Sequence, residues 1–153
     1  MVIAVDFDGT IVTNEFPNIG KEIPFATDVL RKILSEGKYK LILWTSREGE
    51  RQREAVEWCN QRGIYFYAVN KNHPEETVED DLYSKKIRAT YYIDDHNFPG
   101  GTPDWRKIDL FLHSDDGMEI MDQQWFQIKT EENFFVRFGR WVEKIKRKLN
   151  RYC

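Results

Sequence analysis

Apolar positions in the first 112 residues alternate between short continuous runs and helical stripes. Val2–Phe7 is β-branched and apolar on both faces, the pattern of a central strand. A polar stretch with Pro17, Gly20 and Pro24 follows and reads as loop or at most a short hairpin. Phe25, Val29, Leu30, Ile33 and Leu34 then form a helical stripe over Phe25–Glu36, and Gly37 fits its C-terminal stop. Lys40–Trp44 predicts a second strand. Glu48–Arg62 predicts a second helix with Ala55, Val56, Trp58 and Cys59 inward and Gly63 ending it. Ile64–Val69 and Thr90–Ile93 predict two further strands, and the polar segment 70–84 between them has room for one irregular helix. Thr102–Leu112 reads as a Pro-started helix after Gly100-Gly101.

Strands alternating with helices imply an α/β fold: a three-layer, Rossmann-like parallel sheet with right-handed crossovers. The last forty residues break the rhythm. Met118–Met121 and Trp125–Lys129 predict a hairpin around Asp122-Gln123-Gln124. Glu131–Arg151 predicts an amphipathic helix with Phe134, Phe135, Phe138, Trp141, Val142, Ile145 and Leu149 on one face and Thr130 as N-cap. The expected division is a catalytic domain over 1–112 and a C-terminal extension over 113–153, packed on the same domain.

Composition adds boundaries. The chain has 153 residues, 41% apolar and 32% charged, an ordinary soluble balance with room for a substantial core. No apolar run approaches the roughly 20 residues that span a bilayer, so no membrane association is expected. Met1 runs directly into Val2-Ile3-Ala4-Val5 with no basic flank, which reads as a first strand and not a signal peptide. Two distant cysteines, Cys59 and Cys153, make neither a disulfide framework nor a zinc signature, so a cytoplasmic location is expected. The net charge of −3 is uneven. Residues 129–153 carry eight Lys/Arg against three Glu, a net of +5 that leaves −8 for the rest.

Candidate chemistry sits where predicted strands end. Asp6 and Asp8 follow the first, Thr45 follows the second, and Asp94 and Asp95 follow the fourth, with Lys86 shortly before it. Strands of an open parallel sheet point their C-terminal ends at one edge, where such folds bind ligands. Carboxylates gathered there repel one another unless a cation sits among them. The pattern therefore asks for Mg2+, and Mg2+ beside a lysine asks for phosphate.

These residues resemble the haloacid dehalogenase superfamily of aspartate-nucleophile phosphatases over roughly residues 1–112. Asp6-Phe7-Asp8-Gly9-Thr10 matches its first motif, Thr45 its second, Lys86 its third and Asp94-Asp95 its fourth. The text is more similar still to a group of small cap-less bacterial members. It shares with them Gly20-Lys21-Glu22-Ile23-Pro24, Trp44-Thr45-Ser46-Arg47-Glu48-Gly49, Tyr67-Ala68-Val69-Asn70-Lys71 and Gly101-Thr102-Pro103-Asp104-Trp105. Thr90 and His96 depart from that group, where an acidic residue and an arginine are frequent.

The resemblance implies a Mg2+-dependent phosphomonoester hydrolase working through an aspartyl-phosphate. Asp6 would be the nucleophile and Asp8 the general acid and base, its acidity weakened by burial beside other carboxylates. Main-chain N–H groups of Phe7 and Asp8, the Thr45 hydroxyl and Lys86 would bind the phosphoryl group, with Lys85 the adjacent rival to Lys86. Metal ligands would be Asp6, the backbone carbonyl of Asp8, Asp94 and Asp95, with Asp95 direct and Asp94 through water. Gly9 and Thr10 support the turn. Arg47 and His96 are candidates either for substrate contact or for structural roles.

Only 34 residues separate Thr10 from Thr45, and only 16 separate Val69 from Lys86, so neither gap holds an inserted cap. An open site suits a bulky phosphorylated substrate, or a small one enclosed by a second subunit docked through the C-terminal helix. Alternatives differ in partner. A polynucleotide end phosphatase would use the basic helix to hold a strand, but the acidity of the remainder disfavours general nucleic-acid affinity. A phospho-acceptor domain normally carries its acidic pair after the first strand and its acceptor after the third, the reverse of the order here. An idle scaffold would leave the motifs without a use.

Overall fold

The computed structural model describes residues 1–79, 86–97 and 100–113. Its elements are β1 (Val2–Val5), α1 (Ala26–Glu36), β2 (Lys40–Leu43), α2 (Gly49–Asn60), β3 (Ala68–Val69), β4 (Tyr91–Ile93) and α3 (Trp105–His113). The four strands are all parallel and lie in the order β3-β2-β1-β4. Because side chains alternate across a strand, Ala4, Ile42 and Ala68 share one face, where they cluster with Ile87. Ile3, Val5, Leu41 and Leu43 belong to the other and are also fully buried. A sheet covered on both faces explains why these strands read as unbroken apolar runs.

α1 buries Ala26, Val29, Leu30 and Ile33; of the predicted stripe Val29, Leu30 and Ile33 turn inward, whereas Leu34 is half-buried and Phe25 precedes the helix and is exposed. Gly37 ends it in the left-handed region, its N–H donating to the Leu34 carbonyl at 3.3 Å. In α2 the inward stripe is narrower than expected, with Ala55 and Cys59 buried and Val56 and Trp58 only half-buried. Burial pushes the Cys59 thiol up to about 12, which leaves it an inert packing group.

Several boundaries differ from the sequence expectation. β1 stops at Val5 because the Phe7 carbonyl accepts from Ile11 and Val12 N–H in a turn, at 2.9 and 3.1 Å, instead of joining a ladder. β3 is two residues long, not six: only Ala68 and Val69 register with Ile42 and Leu43. α3 begins at Trp105, since the Asp104 carboxylate, not Pro103, meets the first free N–H groups, those of Arg106 and Lys107. Residues 70–79 form turns and no helix. The loop after β1 has a hairpin character: Thr13 N–H donates to the Lys21 carbonyl and Ile23 N–H to the Ile11 carbonyl, at 2.7 and 2.9 Å. The predicted hairpin over 118–129 and helix over 131–151 lie outside the described residues.

The chain divides into two compact units, Met1–Asp109 and Leu110–Cys153. The first contains all four strands. Of the second, only the end of α3 belongs to the described residues. No helix among the described residues is long and apolar enough to cross a membrane.

Candidate phosphate and metal site at the sheet edge

Register brings the expected residues to one edge. Val5 pairs with Ile93, and the Asp6 N–H donates to the Ile93 carbonyl at 2.9 Å, so Asp6 and Asp94 leave neighbouring strands at one level. On the other flank Trp44 N–H donates to the Val5 carbonyl and Asn70 N–H to that of Leu43, both at 2.8 Å. The chain moves outward from β1 through β2 to β3, then returns to the far side of β1 as β4. The β1/β4 junction is therefore the switch point of the sheet, where open α/β folds leave a crevice beyond the strand ends.

Three carboxylates meet at that crevice. Burial pushes the Asp6 carboxyl up to about 7, and the charges of Asp94 and Asp95 add to the effect. Hydrogen bonding at the Phe7 backbone and the Thr10 side chain opposes it. The loop after β1 presses directly on Asp95. Gly9 has φ +85, and a Cβ there would lie 2.2 Å from Asp95 Oδ2, so only glycine fits both the angle and the space. Thr10 is fully buried; its Oγ1 accepts from the Asp95 N–H at 3.0 Å, and its carbonyl accepts from Trp105 Nε1 at 2.9 Å. His96 Nδ1 lies 2.9 Å from Asp95 Oδ1, with the ring 80% exposed. Asp94, Asp95 and His96 offer ligand atoms within 4.8 Å of one another. Oxygen-rich, mutually repelling donors beside a raised carboxyl fit a hard divalent cation.

Asp8 meets a different environment from the one its sequence suggests. Its carboxylate is gripped by Arg47, with Nε 2.6 Å from Oδ2 and Nη2 2.7 Å from Oδ1. The Arg47 side chain is fully buried and its remaining bonds go to the carbonyls of Pro17 (3.1 Å) and Asn18 (2.7 Å). Of the two roles open to Arg47, substrate contact or a structural salt bridge, these four contacts inside the protein match the structural one. Its guanidinium also lies 5.3 Å from the ring centres of both Phe7 and Phe16.

Thr45 is buried two residues beyond β2, where its Oγ1 accepts from the Arg47 N–H at 3.1 Å. Asn70 clamps it. Asn70 Oδ1 accepts from the Thr45 N–H at 2.9 Å, and Nδ2 donates to the Thr45 carbonyl at 2.7 Å. Asn70 has φ 51, a left-handed conformation that asparagine tolerates better than most residues. Sequence reading gave Asn70 no role. An asparagine directly after a strand was the available signal.

Asp6, Asp8, Thr45 and Asp94 line a cavity of about 580 Å3. His96 stands at it too. Lys86 is exposed and, among the described residues, does not belong to the lining. Lys85 lies outside the described residues.

The chain is similar to a solved structure of a conserved protein coded by a locus of Bacteroides thetaiotaomicron. The two are 52% identical with a TM-score of 0.66, over 73% of this chain and 88% of that one. No family model and no curated protein matches the chain.

Proposed function

We infer that this chain, which belongs to the family of that conserved Bacteroides thetaiotaomicron protein, is a Mg2+-dependent phosphomonoester hydrolase. It is of the cap-less haloacid dehalogenase type and works through an aspartyl-phosphate on Asp6. The observation that carries this reading is the convergence of Asp6, Asp94 and Asp95 at the switch point, with the Asp6 carboxyl raised to about 7 by burial and its acidic neighbours. Asp6, Asp94, Asp95 and the Asp8 carbonyl would hold the ion. When bound, Mg2+ supplies positive charge against the carboxylates and the phosphoryl oxygens.

The Asp6 carboxylate attacks phosphorus, forming an acyl phosphate as the ester P–O bond breaks. The leaving oxygen takes a proton from Asp8. Water then attacks the acyl phosphate, returns a proton to Asp8 and releases inorganic phosphate, so one water is consumed per ester. Arg47 occupies one lone-pair direction on each Asp8 oxygen. A carboxylate has about four such directions, so two remain for carrying the proton. The guanidinium thereby fixes where Asp8 exchanges it. Thr45 already accepts from Arg47 N–H, which leaves its own hydroxyl proton to donate to a phosphoryl oxygen, beside the N–H groups of Phe7 and Asp8. Lys86 enters this reading only through the order of the motifs.

The test is a panel of sugar phosphates, nucleotides and phospho-oligonucleotides, assayed with Mg2+ and with chelator, alongside mass spectrometry of acid-quenched protein. Phosphate release that needs Mg2+ and a phosphoryl adduct on Asp6 are expected. Undiminished turnover in chelator, or in Asp6→Asn, would sink the reading.

A further inference from the structure

The cavity is far larger than a phosphoryl group, so most of its 580 Å3 faces whatever the phosphate is attached to. Only two of the side chains lining it are apolar, Phe16 and Trp44, and both are aromatic. Trp44 steps off β2 beside the nucleophile. Its ring packs edge-on against Tyr92, with centres 5.3 Å apart and planes at 65°, which fixes its orientation. Phe16 comes from the loop after β1 and leaves 61% of its surface in solvent.

One exposed phenylalanine is ordinary on a protein surface. Phe16 differs in how it is held. The carbonyls of the next two residues, Pro17 and Asn18, accept from the fully buried Arg47, whose guanidinium also faces the Phe16 ring at 5.3 Å. Asn18 N–H closes the turn onto the Glu15 carbonyl at 3.0 Å. The ring is thus presented on a braced turn instead of folded away. Asn14, exposed on the same loop, brings to the cavity a carboxamide that both donates and accepts.

We propose that this cavity selects phosphomonoesters whose leaving group carries a planar aromatic ring. The ring stacks on Phe16 beside Trp44, and Asn14 hydrogen-bonds its polar edge. Phe16 is then a specificity-determining residue. The proposal rests on the phosphatase reading and adds its substrate class. Nucleoside monophosphates and simple aryl phosphates share the ring; only the former offer Asn14 a polar edge.

The test compares wild type, Phe16→Ala and Phe16→Trp with adenosine 5′-monophosphate, phenyl phosphate and glycerol 3-phosphate in Mg2+. Phenols leave more readily than alkanols, so the diagnostic quantity is the effect of each substitution and not the absolute rate. Phe16→Ala should lower the kcat/KM ratio of adenosine 5′-monophosphate to glycerol 3-phosphate about 10- to 100-fold, mainly through KM, as loss of one stacking platform implies. Phe16→Trp should restore it. A larger loss for the nucleotide than for phenyl phosphate identifies a nucleoside, and equal losses identify a plain aryl group. An unchanged ratio overturns the proposal while leaving the phosphatase reading intact. If wild type turns over none of the three, calorimetric titration of Asp6→Asn with adenosine 5′-monophosphate decides the aromatic wall alone. Binding that weakens when Phe16→Ala is added supports the wall; no binding, or binding indifferent to Phe16, overturns it.

Discussion

Asp6 and Asp8 stand two positions apart on one loop, yet they meet opposite surroundings. Asp6 faces Asp94 and Asp95 and its carboxyl is pushed up to about 7. Asp8 faces a buried guanidinium that binds both its oxygens. One corner of the site gathers like charge, and the other neutralises its charge within the fold. On the proposed function the first takes a cation and a phosphoryl group from outside, and the second exchanges a proton while the guanidinium holds its carboxylate. A repeated residue type in a motif therefore says little about how each copy is used.

The contrast can be broken at its acidic corner first. Asp6→Asn should lower turnover at least about a thousand-fold, as loss of a nucleophile does, with circular dichroism unchanged. Residual activity near wild type would remove Asp6 from the chemistry.

At the neutralised corner the expected effect is on stability. Arg47→Met leaves the half-buried Asp8 without its counter-charge and opens the Pro17 and Asn18 carbonyls, a loss of about 3 kcal/mol in urea unfolding. Adding Asp8→Asn should recover part of it, because the stranded charge is then gone. Additive losses would mean that the two side chains do not act as a pair.

A third measurement sets the corners against each other through pH. The folded value of about 7 for Asp6 lies above its ordinary 3.8, so between those values the folded protein holds a proton that the unfolded chain has lost. Stability of Mg2+-free protein should then fall as pH rises from about 4 to 7. Asp6→Asn should flatten that slope, and coincident slopes would show that burial and the neighbouring carboxylates do not raise Asp6 in the folded protein. The smallest effect belongs to Asn70→Gly. Glycine accepts φ 51 without strain, so only the two bonds to Thr45 are lost, about 1–3 kcal/mol. A Thr45 clamp is also expected to matter more for turnover than for unfolding.

The parallel sheet was legible because its strands are buried on both faces and contain no polar break, as in Ile3-Ala4-Val5 and Leu41-Ile42-Leu43. Strand ends were less so. Ile64–Val69 carries β-type residues throughout, but Tyr65 is 66% exposed and only the last two residues find ladder partners. Pairing is a property of the neighbour, not of the run. Asp6, Thr45, Asp94 and Asp95 could be placed from the sequence because each lies within two residues of a strand's end. Arg47 could not, since its burial depends on a carboxylate 39 positions away and on two main-chain carbonyls that no side-chain pattern records. Phe16 was read as part of a featureless polar loop for the same reason.

Arg47 grips the loop beside the cavity by main-chain oxygen atoms, and every amino acid carries one. Side chains at positions 14 to 18 can therefore be exchanged over generations while the brace beneath them persists. On the proposed function such an arrangement separates clientele from chemistry: descendants can swap the surface that greets a molecule without disturbing the atoms that would cleave it.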